Sequence, residues 1–521
     1  MSQIADEINK SWHETFRILF GTDCKHNLEE LSEWLFRDHY PPMYVKSSIS
    51  GKPVTLCSTR YSKTSKFISQ EEISYSRKHR LDINKIKDID SILEAIEDRA
   101  YYAGNKIFGS TTNSESCDNI TDCHYAYHSS VCSQSKQLGY SSYARDNSEY
   151  SFGSEIHSKG KYLIRVLGAA GLARCFESYI ITNSSDLFYT FDCSGCDNAM
   201  FSFGLRSKRY CIGNLPLEKS KYLPLKKKLT QEAAEYINKH KTFPSVYDFP
   251  PPDKSKIKPL SITPTLAPKM DFKPIDEAFE TATKVILGKP LSPVKNYRKF
   301  LTKRSDAVQI IKTIFGSEGL YSKYSWYRAV PHERAITMAE AREMESRHIT
   351  LSESENLGSI LKKCEAIAFY AVDFKEGQNT NNSYTQVEFN AINSYMCGDV
   401  TYSKNAAFDT MAFHSEAVFG CFRAIHSKYS IRCHDCFQLT ACMDMDSCSY
   451  CSNSMFCHNC ENLENCMFCF NAKSLKYAIG NVEVGKEKYA EIKKKICDEI
   501  LAQIEKNGDL GFDICDLGCK K

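Results

Sequence analysis

The sequence predicts a mostly β chain with α-helical additions: two tandem narrow β-solenoids with helical caps, behind a mixed N-terminal region. Three observations predict it: a three-residue ladder of small side chains, an internal duplication, and a proline-rich stretch between the copies.

The ladder is clearest in the C-terminal half. Stepping in threes from Ser394 to Leu475 meets Cys397, Val400, Ala406, Ala412, Cys421, Cys433, Cys436, Cys442, Cys448, Cys451, Cys457, Cys460, Cys466 and Cys469, and only Asp409 is charged. Leu163, Val166, Ala169, Leu172, Cys175, Ser178, Ile181, Ser184, Leu187, Thr190, Cys193 and Cys196 repeat the step earlier. The run from Cys117 to Leu138 obeys it in a shifted frame. A period of three is neither the 3.6 of a helix nor the 2 of a strand. A 3₁₀ helix does not run so far, and collagen and polyproline bundles need glycine or proline. A slim interior, filled by one small side chain in three, remains. Cys433, Cys442, Cys451, Cys460 and Cys469 are each nine apart, and two residues after each stand Asp435, Asp444, Asn453, Asn462 and Asn471. Asp and Asn tolerate left-handed corners. A coil of about 18 residues, stacked at the strand spacing, is expected.

Residues 200–229 align without gaps to 467–496, with fourteen of thirty identical. Met200, Phe201, Tyr210, Ile212, Gly213, Asn214 and Tyr222 match Met467, Phe468, Tyr477, Ile479, Gly480, Asn481 and Tyr489, so each copy is expected to close on a "YxIGN" turn and a capping helix.

The predicted order is a mixed α/β region over 1–104, the first solenoid over 105–240, a proline-rich linker over 241–300, a helical or mixed region over 301–385, and the second solenoid over 386–521. In the first region, Leu28, Leu31 and Leu35 predict one helix and residues 86–104 another, with short strands around the Ser50-Gly51 turn. Ten of sixteen prolines fall in 244–293, which reads as an extended tether. Residues 306–350 read as helical and charged.

Net charge is +3, too balanced for a dedicated phosphate-backbone binder. The opening run lacks an apolar leader core, and "YLIRVLGAAGLARCF" is interrupted by Arg165 and Arg174, so no membrane partner is expected. Twenty-four cysteines without a leader point to a reducing setting, the cytoplasm or a virion.

Cys448, Cys451, Cys457 and Cys460 form C-x2-C-x5-C-x2-C, a candidate zinc set. Equivalent ladder slots hold Leu439, Met445, Ser454 and Leu463, and a ligand position does not accept leucine. Packed thiols without a cofactor are therefore expected, with zinc as the alternative. Calcium β-rolls need glycine-rich turns that are absent here. "LGAAGLA" (167–173) reads as ladder core rather than a phosphate turn. His332-Glu333 stands alone, and Asp435, Asp444 and Asp446 are the only clustered acids, so no enzyme is expected. Lys226–Lys228 and Lys493–Lys495, with Arg206, Lys208 and Arg209, read as the solvated face of a capping helix, or else as a phosphate-facing patch. Phe413, Phe419, Phe422, Phe437, Tyr450, Phe456 and Phe468 beside the ladder predict a flank covered by another domain or subunit.

The run "DCSGCDNAMFSFGLRSKRYCIGN" (192–214) resembles a signature of uncharacterised cysteine-rich β-solenoid proteins from candidate-phyla bacteria and large tailed phages. Cys193, Cys196, Phe201, Leu205, Arg206, Lys208, Tyr210, Cys211, Ile212, Asn214, Lys219 and Tyr222 carry it. The resemblance covers residues 40–229 and, more weakly, 390–496. It implies a fold and no established activity. In that family cysteine pairs near the front suggest a zinc ribbon; here Ser47 and Ser48 stand there and Cys57 remains.

The expectation is a non-enzymatic structural or assembly protein, such as a phage or virus particle component, with other protein subunits as partners in a homo- or hetero-oligomer. The alternative is a zinc-dependent nucleic-acid-binding module. A third reading, a glycan-binding or glycan-cleaving β-helix, needs acids converging in a groove.

Overall fold

The computed structural model describes the chain apart from residues 1, 41, 159–160, 171–174, 307, 324–326, 353, 518 and 520–521. It is a mixed α/β fold in which many short strands form small, largely parallel sheets. Most strands belong to a first ladder over 107–216 and a second over 374–483.

In the second ladder, after a first step of 13 from Phe374 to Val387, bridged partners lie 12 residues apart, not the expected 18 or so. Four successive columns obey this interval: 434/446/458/470, 437/449/461/473, 440/452/464/476 and 443/455/467/479. The nine-residue spacing of cysteines is therefore three triplets of four, and stacked slots are 12 apart. From Arg432 to Tyr477 every third residue has positive φ, including Asp435, Asp444, Asn453, Asn462 and Asn471. Each triplet thus has an inward residue, an outward middle residue and a left-handed corner.

Main-chain bonding follows that triplet. The middle N–H donates to the neighbouring repeat, as His434 does to the Met445 carbonyl (2.7 Å). The corner N–H donates the other way, as Asp444 does to Ile431 (2.9 Å). These bonds offset the cost of placing Tyr, Phe and His in the left-handed region, about 1–2 kcal/mol each. Several inward N–H groups instead use the side chain 12 residues earlier, although Cys436 N donates to the Arg423 carbonyl (3.1 Å). Ser415 N donates to Ser403 Oγ (2.9 Å), Cys466 N to Ser454 Oγ (3.0 Å) and Cys460 N to Cys448 Sγ (3.4 Å). The hydroxyl or thiol in turn donates to a carbonyl, as Ser403 Oγ does to Ala412 O (3.0 Å). Ser and Cys therefore fill space and also satisfy a buried donor. Asp409 does the same: its Oδ1 accepts from Cys421 N (2.6 Å), and burial pushes its carboxyl well above the usual range.

The first ladder also opens with a step of 13, from Ile107 to Ile120, and then keeps the interval of 12, except that Lys136 pairs with Glu149 and Ser142 with Glu155, 13 residues on. The extra residue lies at Asp146-Asn147, where two consecutive corners have φ 58° and 63°. That insertion is the physical reason for the shifted frame. Val166, Cys175, Ser178, Ser184, Leu187, Thr190, Cys193 and Cys196 are buried. Leu172 lies outside the described residues; residues 167–170 form a strand, Leu167–Ala170.

The flank aromatics divide: Phe419, Phe422, Phe456 and Phe468 are buried within the chain itself, whereas Phe413 and Phe437 are half-buried and Tyr450 is exposed. In the second ladder Ala407, Phe419, Ile431, Met443, Met455, Met467 and Ile479 form one buried outward column at 12-residue steps. Helix Lys273–Leu287 crosses its upper part, with Phe279 against Phe419 at 5.0 Å. The matching column of the first ladder runs through Tyr127, Phe152, Ile164, Phe176, Phe188, Met200 and Ile212. Helix Gln3–Phe20, capped by Ser2 and ended at Gly21, covers its start, with Trp12 against Phe152 at 5.6 Å.

Both ladders end alike. After Ile212 and Ile479 the strand reverses into an antiparallel pair. Asn481 Oδ1 accepts from Phe470 N (2.9 Å) and its Nδ2 donates to Phe470 O (2.7 Å), standing in for the missing next repeat. Asn214 does the same to Phe203. Helices Lys219–His240 and Lys486–Asn507 follow.

Other expectations differ in detail. The linker over 241–300 is packed, since Phe243 and Val246 are buried and it contains the helix Lys273–Leu287. Over 306–350 the charged helix is replaced by a hairpin, Gln309–Lys312 with Glu318–Tyr321, and a short helix, Met338–Met344. The helix expected over 86–104 is limited to Ile89–Ala95, and Tyr102–Gly104 instead pairs with Phe67–Ser69.

Candidate functional site at the ladder junction

On the second ladder the column His434, Asp446, His458 faces the segment 57–106 and is buried. Asp446 Oδ2 accepts from His458 Nδ1 (2.6 Å) and from the Tyr61 hydroxyl (2.9 Å); its Oδ1 lies 3.1 Å from His434 Nδ1. Burial alone would raise this carboxyl, but the two histidines outweigh it and hold Asp446 well below the usual carboxylate range. His458 Nε2 accepts from Ala103 N (2.9 Å), which fixes a neutral ring; burial lowers its pKa despite Asp446. Among the described residues His434 Nε2 has no hydrogen-bond partner. Its ring stacks on Phe422 (4.6 Å, 13°), and the Arg60 guanidinium lies 4.2 Å from the Phe422 centroid.

A second buried pair lies close by. Lys106 Nζ meets Asp118 Oδ2 at 2.9 Å, and Asp118 also accepts from Cys57 N (2.7 Å) and Lys106 N (2.8 Å). Beside these groups is a cavity of about 490 Å³, lined in part by Tyr40, Cys57, Arg60, Tyr143, Arg328 and His434. Its walls come from the N-terminal region, both ladders and the segment before the second ladder. A histidine held by a carboxylate can exchange a proton. A nucleophile beside it would need a low thiol pKa, but burial, and then Asp118, pushes the Cys57 thiol well up. The cavity is equipped to bind through polar and aromatic groups more than to attack.

Cys448, Cys451, Cys457 and Cys460 all sit in inward slots. Cys448 and Cys460 share one column, while Cys451 and Cys457 occupy two others. Their Sγ atoms lie 3.2–3.3 Å from the carbonyls of Asp446, Ser449, Met455 and His458. Burial pushes Cys448, Cys457 and Cys460 up, and Cys451 is raised by its bond to Cys448 and then by burial. Among the described residues no group of three or more His, Cys, Asp or Glu is placed to hold a metal ion.

The clustered acids do not form a groove. Asp435 pairs with Arg423 (2.6 Å) and Asp444 with Arg432 (3.2 Å), and burial pushes Asp444 up to about 7. Arg206 is held by both oxygens of Asp192 (2.8 Å each), Lys226 donates to Asn198 (2.9 Å), and Lys495 pairs with Glu491 (2.8 Å). His332-Glu333 lies in a short 3₁₀ turn. Sequence reasoning passed over Tyr61, His434 and His458, and met Cys57 only as the cysteine left where the resembled family suggests a zinc ribbon. The signal for two of them is H-x11-D-x11-H, which becomes visible once the repeat is known to be 12.

Comparison with family models, curated proteins and solved structures finds no match. Among the described residues no helix is long and apolar enough to cross a membrane.

Proposed function

We propose that the chain is a non-enzymatic scaffold: two narrow β-solenoids of twelve-residue coils, joined at the polar junction and presented to other protein subunits. One observation carries this reading: four successive columns of parallel bridges at a constant interval of 12, around inward slots that are buried. Stacked amides support it, with Asn381 Nδ2 donating to Asn393 (2.7 Å) and Asn393 to Asn405 (2.8 Å). An assembly role is supported by rings along the outer edge of the second ladder. Tyr402, His414 and His426 are exposed and stack at 5.1 and 5.0 Å, and Phe437 and Tyr450 continue the row. A repeating flat edge suits a neighbouring subunit, as in a virus or phage particle.

The zinc-dependent reading remains the rival. Metal analysis of purified protein, paired with alkylation of native and unfolded samples, separates the two. The scaffold reading predicts no stoichiometric zinc and thiols from Cys433 to Cys469 that react only on unfolding. One equivalent of zinc, whose removal unfolds the second ladder, would overturn it.

A further inference from the structure

A second cavity, of about 950 Å³, lies away from the junction, between the proline-rich segment and the region after Arg334. Six cationic side chains line it, Lys256, Lys258, Arg334, Arg347, Lys362 and Lys363, against two carboxylates, Asp253 and Glu365. The whole chain carries only +3, so positive charge is concentrated here.

Three of these cations are already balanced. Lys256 pairs with Asp253 (3.1 Å), Lys362 with Glu365 (3.0 Å), and Lys363 with Glu355. Lys258, Arg334 and Arg347 differ: among the described residues none has a carboxylate within ion-pair distance. Arg334 is 1% exposed and donates only to main-chain carbonyls, from Nε to Pro250 (2.7 Å) and from Nη1 to Glu365 (3.0 Å) and Ala368 (2.8 Å). Arg347 Nη2 likewise donates to the Lys258 carbonyl (2.7 Å). Burial lowers the pKa of both arginines.

Carbonyl anchoring explains why Arg334 is present: it ties the proline-rich segment to the turn after helix Leu357–Cys364. It does not fully balance the charge: the Phe249 and Phe369 rings lie 5.7 and 5.5 Å from the guanidinium and Glu365 lends some negative field, but no carboxylate forms an ion pair with it among the described residues, and a buried cation without one is costly. The loop bearing Arg347 is fixed to the first ladder's closing turn, with Ile349 N donating to Gly213 O (2.9 Å) and Asn214 Nδ2 to Arg347 O (3.2 Å). The unbalanced cations therefore stand on three separately anchored segments.

We propose that this cleft binds a small ligand carrying two or more linked phosphoryl groups. Guanidinium groups match phosphate geometry, and several fixed cations favour a multiply charged anion over a single carboxylate. The inference does not depend on the scaffold reading, and failure of either leaves the other standing.

The test titrates the full chain with inorganic tripolyphosphate, ATP, inorganic phosphate, citrate and a single-stranded oligonucleotide at physiological salt, by calorimetry. Saturable binding of tripolyphosphate and ATP is expected, at least tenfold tighter than phosphate or citrate. If ATP exceeds tripolyphosphate the natural ligand is a nucleotide; if the two are equal it is a free oligophosphate. The double variant Lys258→Gln/Arg347→Gln should weaken binding at least tenfold. Lys494→Gln, on the distant C-terminal helix, should leave it unchanged. Thermal unfolding of each variant without ligand checks the fold, and tripolyphosphate should raise the wild-type midpoint but not that of the double variant. No saturable binding, equal affinity for citrate, tighter binding of the oligonucleotide, or binding insensitive to the double variant would overturn the proposal.

Discussion

The two ladders share one triplet rule but balance charge differently where they meet. In the first, the junction column holds Asp118, Ser130, Ser142 and Glu155, and both acids take cations from elsewhere: Lys106 for Asp118 and Arg328 for Glu155. In the second, His434, Asp446, His458 and Phe470 stack in one column, so the acid finds its partners within the ladder. The first ladder also absorbs an extra residue at Asp146-Asn147, whereas the second keeps its interval of 12 from Val387 to Ile479. A regular ladder can set histidines beside its own acid, with Tyr61 and Ala103 completing the column from outside. An interrupted one depends on what packs against it.

The largest effect should come from breaking what they share. Ala406→Phe places a ring in an inward slot and should abolish cooperative unfolding of the second ladder in a urea titration, because overpacking a slim interior has no outlet. Ser427→Cys, at an equivalent slot, keeps a donor and an acceptor and should change the unfolding free energy by less than about 1 kcal/mol.

Next come the unlike junction faces. Lys106→Met leaves Asp118 buried without its cation and should cost about 3–5 kcal/mol. Asp446→Asn should cost less, about 1.5–3 kcal/mol, since the amide keeps some of the bonds. It should also change the pH profile. Asp446 is depressed in the fold, so its stabilisation is complete above the unfolded carboxylate value of about 4 and is lost as pH falls through the folded value. His458, also depressed, begins to lose stability below about 6.5, in the same direction. Wild type should weaken on acidification more steeply than Asp446→Asn, measured by thermal midpoints from pH 7 to 3. Parallel profiles would remove Asp446 from the account of the junction.

Much of this was legible in the sequence. The three-residue step, the corners at Asp435, Asp444, Asn453, Asn462 and Asn471, and the paired endings at Asn214 and Asn481 follow from residue type and spacing. The repeat length did not emerge from the inward slots, because small side chains are interchangeable there and the cysteines suggested nine. It is written in the outward residues, where Phe419, Ile431, Met443, Met455, Met467 and Ile479 recur every 12. The junction was less legible still, since Tyr61, Cys57 and Lys106 are distant in sequence and reach the second ladder only through tertiary packing.

The interval of 12 is tested most directly by bridging outward positions with a bifunctional thiol reagent matched to the strand spacing of about 4.8 Å. Lys404→Cys with Glu416→Cys, in the second ladder, should be captured as one linked peptide pair by mass spectrometry, and so should Lys136→Cys with Glu149→Cys across the insertion in the first. Glu416→Cys with Ile425→Cys, nine apart, should not. Capture of the nine-residue pair and failure of both others would contradict the twelve-residue repeat.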